Sequence, residues 1–165
     1  MPDSLLPRLS REGAFSMMLR KLFLVFSACL AWQACLAAES AFPEAQEIVE
    51  EIVAGHPNVV RLTIHAVPSE DTMSRIIACN VPEKLGQASD PEDLEAMRTS
   101  KTTVLREGEN IDVTVPITDW EGRPIATGVT LAGRDASDDQ AAVEEAQAIA
   151  LELQESIRAA GHPLW

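Results

Sequence analysis

Arg61, Thr63 and His65 alternate with Val60, Leu62, Ile64 and Ala66, so the period-two rule of a strand puts the three polar side chains on one face. A guanidinium and an imidazole on one face can receive an anionic group. Arg75 lies in the following apolar run, Met73 to Cys79, and is the natural second cation. Two Arg suit a planar carboxylate because each guanidinium donates two parallel N–H bonds. Internal salt bridges compete for the same side chains, since the chain holds 26 acidic residues. Asn80 ends that run, where an Asn side chain either bonds the backbone of the next loop or meets a ligand. Lys101 stands between a short helix and the next strand. Arg61, His65, Arg75, Asn80 and Lys101 are the candidate ligand contacts.

The types and spacings that catalysis needs are missing. There is no Gly-x-Ser-x-Gly elbow, no phosphate-cradling Gly-rich loop and no His-Glu-x-x-His run. Cys79 and His65 are a conceivable nucleophile and base on adjacent strands. Within Ile76-Ile77-Ala78-Cys79 nothing activates the thiol, and it reads as a small core hydrophobe. His56, His65 and His162 are isolated, with no paired His or Cys at metal-ligand spacing. Asp90-Pro91-Glu92-Asp93 is explained as a helix start without a metal. His56, beside Gly55 and Pro57, reads as a helix terminus. The expectation is a non-enzymatic protein with no cofactor.

Charge narrows the partners. Of 165 residues, 13 are Lys or Arg and 26 are Asp or Glu, a formal net charge of −13. That balance opposes nucleic acid, whose non-specific affinity comes from neutralised phosphates, and opposes anionic lipid. The 46% hydrophobic content excludes a wholly disordered chain.

Residues 1–37 read as a leader rather than as fold. Arg20 and Lys21 precede the apolar run Leu22 to Trp32, and the small-residue stretch Ala34-Cys35-Leu36-Ala37-Ala38 follows. These are the three parts of a secretory signal peptide, here cut after Ala37, and the run falls short of the ~20 residues of a membrane span. Met17 or Met18 would put the basic pair at the start, which makes residues 1–16 upstream of it. Neither Cys29 nor Cys35 has the Leu usual at −3 of a lipobox, so soluble export, periplasmic or secreted, is expected over a lipid anchor. Cleavage removes four basic and two acidic side chains. The remaining 128 residues then carry 9 basic and 24 acidic groups, a charge of −15, with Cys79 as their single thiol. No membrane span is expected after cleavage.

Residues 38–165 read as one α+β domain on an antiparallel sheet. Pro43 opens a helix whose apolar face is Ala45, Ile48, Val49, Ile52 and Val53, stopped by Gly55 and Pro57. Val59–Ala66 and Met73–Cys79 form a hairpin. A short helix starts at Asp90, with Leu94 and Met97 as its apolar side. Strands follow over Thr102–Arg106, Ile111–Thr118 and Ile125–Leu131, the last two joined through Trp120-Glu121-Gly122-Arg123. Ser137 with Gln140 forms a capping-box pattern before a long helix, with Val143, Ala146, Ala150, Leu153 and Ile157 on one side. That seam serves a core or a dimer contact, and the size of the domain favours core.

A five-stranded antiparallel sheet with a leading helix and small helices after its second strand resembles the PAS-like extracellular sensor fold, in particular single Cache domains. Ala78-Cys79-Asn80, Gly86, Asp90-Pro91-Glu92-Asp93, Ser100-Lys101-Thr102 and the Asp119-Trp120-Glu121-Gly122 hairpin are similar to exported, stand-alone Cache-like proteins. There a strand ends in Ala-Ser-Asn, and a Gly-Lys-Thr-like turn follows the Asp-Pro-Glu-Asp helix start. The likeness covers roughly residues 45–135. The aromatic- and Arg-rich signature of amino-acid-sensing Caches is absent, the aromatics after residue 37 being Phe42, Trp120 and Trp165. The resemblance implies a ligand cavity floored by the inner face of the sheet. Periodicity alone assigns Val60, Leu62 and Ile64 to the core and leaves Arg61 and His65 facing solvent.

Two functions follow. One is an exported small-molecule-binding module of sensor type, taking an unidentified small molecule for which an anion is one option, and reporting to a separate receptor or transporter. The other is an acidic periplasmic interaction protein with no ligand cavity, for which Arg61 and His65 stand in solvent. An exported thiol enzyme, the third and least favoured, requires an exposed, reactive Cys79.

Overall fold

A computed structural model describes residues 40–133 and 139–165. The predicted leader 1–37 and the predicted cap at Ser137 lie outside those residues. Helix α1 spans Pro43–Gly55 and is followed by strands β1 (Val59–Ala66) and β2 (Arg75–Cys79). A single 3-10 turn (Pro82–Lys84) leads to the short helix α2 (Pro91–Thr99). Then come β3 (Thr103–Glu107), β4 (Asn110–Thr118), β5 (Pro124–Leu131) and the long helix α3 (Asp139–Ala160). The five strands form one antiparallel sheet in the order β2-β1-β5-β4-β3. Every element expected from the sequence is present, with ends displaced by one or two residues.

The two faces of the sheet differ in chemistry. Leu62 and Ile64 of β1, Ile111, Val113 and Val115 of β4, and Val129 and Leu131 of β5 are buried together with α1 and α3. Helix α1 contributes Ala45, Val49 and Ile52, and α3 contributes Ala146, Ile149, Ala150, Leu153 and Ile157. The α3 seam is therefore core. Burying a Leu or Ile side chain is worth ~1.5–3 kcal/mol, so this face supplies the main driving force for the fold. The other face carries Arg61, Thr63, His65, Asp112, Thr114, Gly128 and Thr130, and α2 packs over it against β4 and β5.

Two bulges change the predicted pattern. The β1–β5 register shifts between Val59 and Arg61, which turns Val60 out to solvent and puts Val59 in the core in its place. The β1–β2 register shifts between Ile64 and His65, so Arg75 pairs with Ala66 while Ile76 pairs with His65. Directly paired residues in an antiparallel ladder share a face. Arg75 therefore stands on the helix-side face with Ala66, opposite to Arg61.

Side chains complete the sheet where β2 ends. The Asn80 Oδ1 accepts the Leu62 N–H at 2.7 Å, and its Nδ2 donates to the Val60 carbonyl at 3.1 Å. Gln46 of α1 treats Cys79 in the same way, accepting its N–H at 3.0 Å and donating to its carbonyl at 2.9 Å. Both amides imitate a neighbouring strand and blunt an edge that would otherwise offer unpaired backbone groups.

Candidate functional site

The polar face is assembled from cross-strand rows. Arg61, Thr130 and Asp112 lie side by side on β1, β5 and β4; Thr63, Gly128 and Thr114 form the next row, and His65 and Ala126 begin a third. Short Thr, Gly and Ala side chains keep this face low, and the ionisable groups stand at its ends. Above it lie α2 and the segment that carries the 3-10 turn.

The face is not open to solvent. Thr63 is 2% exposed, His65 5% and Asp93 4%. This corrects the expectation of solvent exposure for His65, because α2 and the loop before it cover what periodicity could only mark as polar, while Arg61 at the end of the face stays half-buried. Helix α2 also turns differently from its pattern. Leu94 is exposed, and Asp93 and Ala96 are the buried residues. Asp93, read from the sequence as part of a helix start, accepts the Asp90 N–H at 2.9 Å and so does serve the cap. The same Oδ2 lies 3.1 Å from His65 Nδ1.

A chain of hydrogen bonds runs through the imidazole. Nδ1 faces Asp93 and also lies 3.1 Å from the Ser89 Oγ, which is 2.7 Å from the Ser74 Oγ. Nε2 is 2.8 Å from Thr63 Oγ1. A carboxylate only accepts, so the partners assign the proton to Nδ1 and leave Nε2 as the acceptor from Thr63. Burial pushes the His65 pKa down to about 4, with the Arg61 charge acting the same way. Burial pushes Asp93 up to about 6, opposed by the bond from the Asp90 N–H. At neutral pH the pair is a neutral imidazole donating to a carboxylate.

Arg61 closes the other end of the face. Its Nη2 lies 3.2 Å from Glu107 Oε2 and 3.3 Å from Asp112 Oδ2, and Thr130 Oγ1 donates to Asp112 Oδ1 at 2.8 Å. Between Arg61 and His65 is a cavity of about 60 Å³, walled by these residues together with Lys84, Gln87, Asp90 and Glu92. That volume holds a few waters or a small ligand.

The five candidate contacts separate. Arg61 and His65 line this cavity. Arg75 does not converge with Arg61; it pairs with Asp71 and borders a different, more apolar cleft of about 310 Å³ with Phe42, Ile77 and Leu85. Its position follows from the bulge in β1–β2. Asn80 is taken up by the β1 backbone, and Lys101 is exposed beyond α2. The sequence reading missed Thr63, Asp93, Asp112 and Lys84 as cavity walls. The signal available was the absence of Lys and Glu at the polar positions of β4 and β5, where a solvated face usually has them.

The hydroxyl–imidazole–carboxylate order of Thr63, His65 and Asp93 has the connectivity of a nucleophile triad. The hydroxyl is nevertheless buried, and it accepts the Gly128 N–H at 3.0 Å, which fixes it against the strand. Cys79 is buried, and burial pushes its thiol pKa up. Among the described residues no group of three or more His, Cys, Asp or Glu is placed to hold a metal ion. No described helix is long and apolar enough to cross a membrane.

The architecture matches a known class of domain. The chain superposes on the GAF domain of A. aeolicus nlh2 in an inactive state with a TM-score of 0.54 and 12% identity, over 86% of this chain and 98% of that one. The fold is GAF-like. A second GAF domain, from an Acinetobacter phosphoenolpyruvate-protein phosphotransferase, aligns with 14% identity over 93% of this chain and 96% of that one, at a TM-score of 0.47. No family model matches the sequence, and no curated protein matches it. The PAS-like α+β sheet expected from the element order is thus found in a GAF-like setting.

Proposed function

We propose that this protein is an exported, non-enzymatic sensor-type module of the single-Cache kind, which binds a small molecule between its sheet and the lid formed by α2 and the loop before it. The observation that carries the reading is the cavity between Arg61 and His65. A sheet face this polar and this buried is costly to maintain unless each group is paired, and here the pairing surrounds a space rather than filling it. The GAF-like fold adds an associational argument, since fold alone does not specify a site.

Export rests on the leader pattern over residues 20–38, and the partner in this reading is a separate receptor or transporter. The rival reading, an acidic interaction protein without a cavity, requires Arg61 and His65 in solvent. Burial of His65 and the walled cavity weigh against it.

Native mass spectrometry of the protein purified from the periplasm, compared with the same sample after unfolding and refolding, tests the binding. Extra mass that disappears on unfolding is the expected result. A bare mass in both samples, from a fraction in which the leader has been removed, would count against a retained ligand and favour the interaction reading.

A further inference from the structure

Gly128 forms the floor of the cavity at its middle. A Cβ placed there would stand 2.7 Å from Thr63 Oγ1, 3.7 Å from His65 Nε2 and 3.9 Å from Asp112 Oδ1. A Cβ would therefore collide with the Thr63 hydroxyl, so glycine keeps the floor low at this point and any occupant sits above it, facing three atoms able to accept a hydrogen bond. Asp112 Oδ1 already takes one proton from Thr130 and keeps a lone pair. Thr63 has two acceptors in reach, Nε2 at 2.8 Å and the Gly128 carbonyl at 3.3 Å. Turning its hydroxyl to the carbonyl frees Nε2 for a donor from the cavity.

The walls agree in sign. Two cationic side chains, Arg61 and Lys84, face five carboxylates, and Arg61 is engaged by Glu107 and Asp112. An anion entering this space would meet no free cation at the floor and a surplus of negative charge around it. An ammonium above Gly128 would have Asp112 and the Thr63–His65 pair beneath it as acceptors for charge-assisted bonds, within walls of the opposite sign.

We propose that the molecule held here presents a primary ammonium group to the space above Gly128, so that the ligand is a small primary amine and not the anion suggested by the two Arg of the sequence. This rests on the reading of the cavity as the ligand site. The volume limits the buried part to the ammonium and a few carbons. Lys84, in the 3-10 turn that forms part of the wall, opposes the entering charge and sets a ceiling on affinity.

The test is a set of titrations of the ¹⁵N-labelled protein at pH 7.5 and constant ionic strength, followed by two-dimensional NMR. The probes are methylammonium, tetramethylammonium and acetate. Saturable shifts of the Thr63, Asp112 and Gly128 amides with methylammonium alone are expected. Lys84→Gln, on the loop outside the sheet, should tighten methylammonium several-fold. Asp112→Asn should weaken it about tenfold or more. If tetramethylammonium acts equally, the donor bonds are not the determinant and the proposal fails. If acetate alone shifts these amides, the cavity stands as a ligand site and the amine assignment is overturned. If no probe gives a saturable shift, the amine proposal falls, and extra mass in the native spectrum then decides separately whether the cavity reading survives.

Discussion

His65 Nδ1 lies 3.1 Å from Asp93 Oδ2, and this contact joins β1 to the first turn of α2, the helix that covers the sheet. Each partner is buried, and each is displaced from its ordinary pKa in the direction of its neutral form. The pair therefore makes opposing contributions to the pH dependence of folding.

Asp93 rises from 3.8 to about 6, so the folded state holds a proton that the unfolded state has lost, and stability falls as pH climbs through that window. His65 drops from 6.5 to about 4, so the unfolded state holds the extra proton and stability climbs over nearly the same window. The two nearly cancel between pH 4 and 6. Asp93→Asn should expose the His65 contribution, with stability rising between pH 4 and 6.5 by up to ~3 kcal/mol. His65→Gln should expose the opposite slope. Urea unfolding midpoints at half-unit pH steps would read both, and parallel profiles for the wild type and the two variants would refute the coupling.

Asn80 separates a structural role from a ligand contact. Its amide satisfies Leu62 N–H and the Val60 carbonyl at the bulge, where β2 has ended. Asn80→Ala leaves two backbone groups without that partner and should cost about 1–3 kcal/mol, measured by chemical denaturation. Methylammonium binding by the folded fraction should stay within about twofold of the wild type. A large loss of binding with unchanged stability would return Asn80 to the site.

Much of this fold can be read directly from residue spacing. The alternation of Ile111, Val113, Val115 and Ile117 against Asp112 and Thr114 places β4 and both its faces, because period two is a local property. The bulge at Val60 leaves no such mark, since Val59 and Val60 are equally apolar and the pairing with β5 decides which one enters the core. Arg61 and His65 are found by pattern, but the burial of His65 depends on α2 folding back over the sheet, a contact across some thirty residues. Asp93 shows one of its two roles locally, the cap, and hides the other for the same reason. The separation of Arg75 from Arg61 comes from a one-residue register shift that composition cannot reveal.

Ser100 closes α2 with φ +55° and ψ +36°, in the left-handed region. This is the place where the Gly-Lys-Thr-like turn of the resembling proteins has Gly. An L side chain there costs roughly 1 kcal/mol relative to Gly. Ser100 is exposed, so nothing in the core opposes the change. Ser100→Gly should raise stability by about 0.5–1 kcal/mol, less whatever the freer unfolded chain gives back. A lowered thermal midpoint would mean that the Ser side chain holds the turn in a way its exposure does not suggest.

Cys79 decides the thiol-enzyme alternative. Its Sγ accepts the Val81 N–H at 3.3 Å, and its backbone is held on both sides by Gln46. Burial raises the thiol pKa, while the Val81 bond and the Arg61 charge act more weakly in the opposite direction. Reactivity follows thiolate population and access, and both are low here. The folded protein at pH 7.5 should therefore react with an aromatic disulfide reagent at least about a hundredfold more slowly than the unfolded chain in urea. Gln46→Ala loosens the α1 side of the strand without touching the sulfur, and should accelerate the reaction in the folded state. Rapid stoichiometric labelling of the native protein would instead place the thiol at the surface and reopen a nucleophilic role for it.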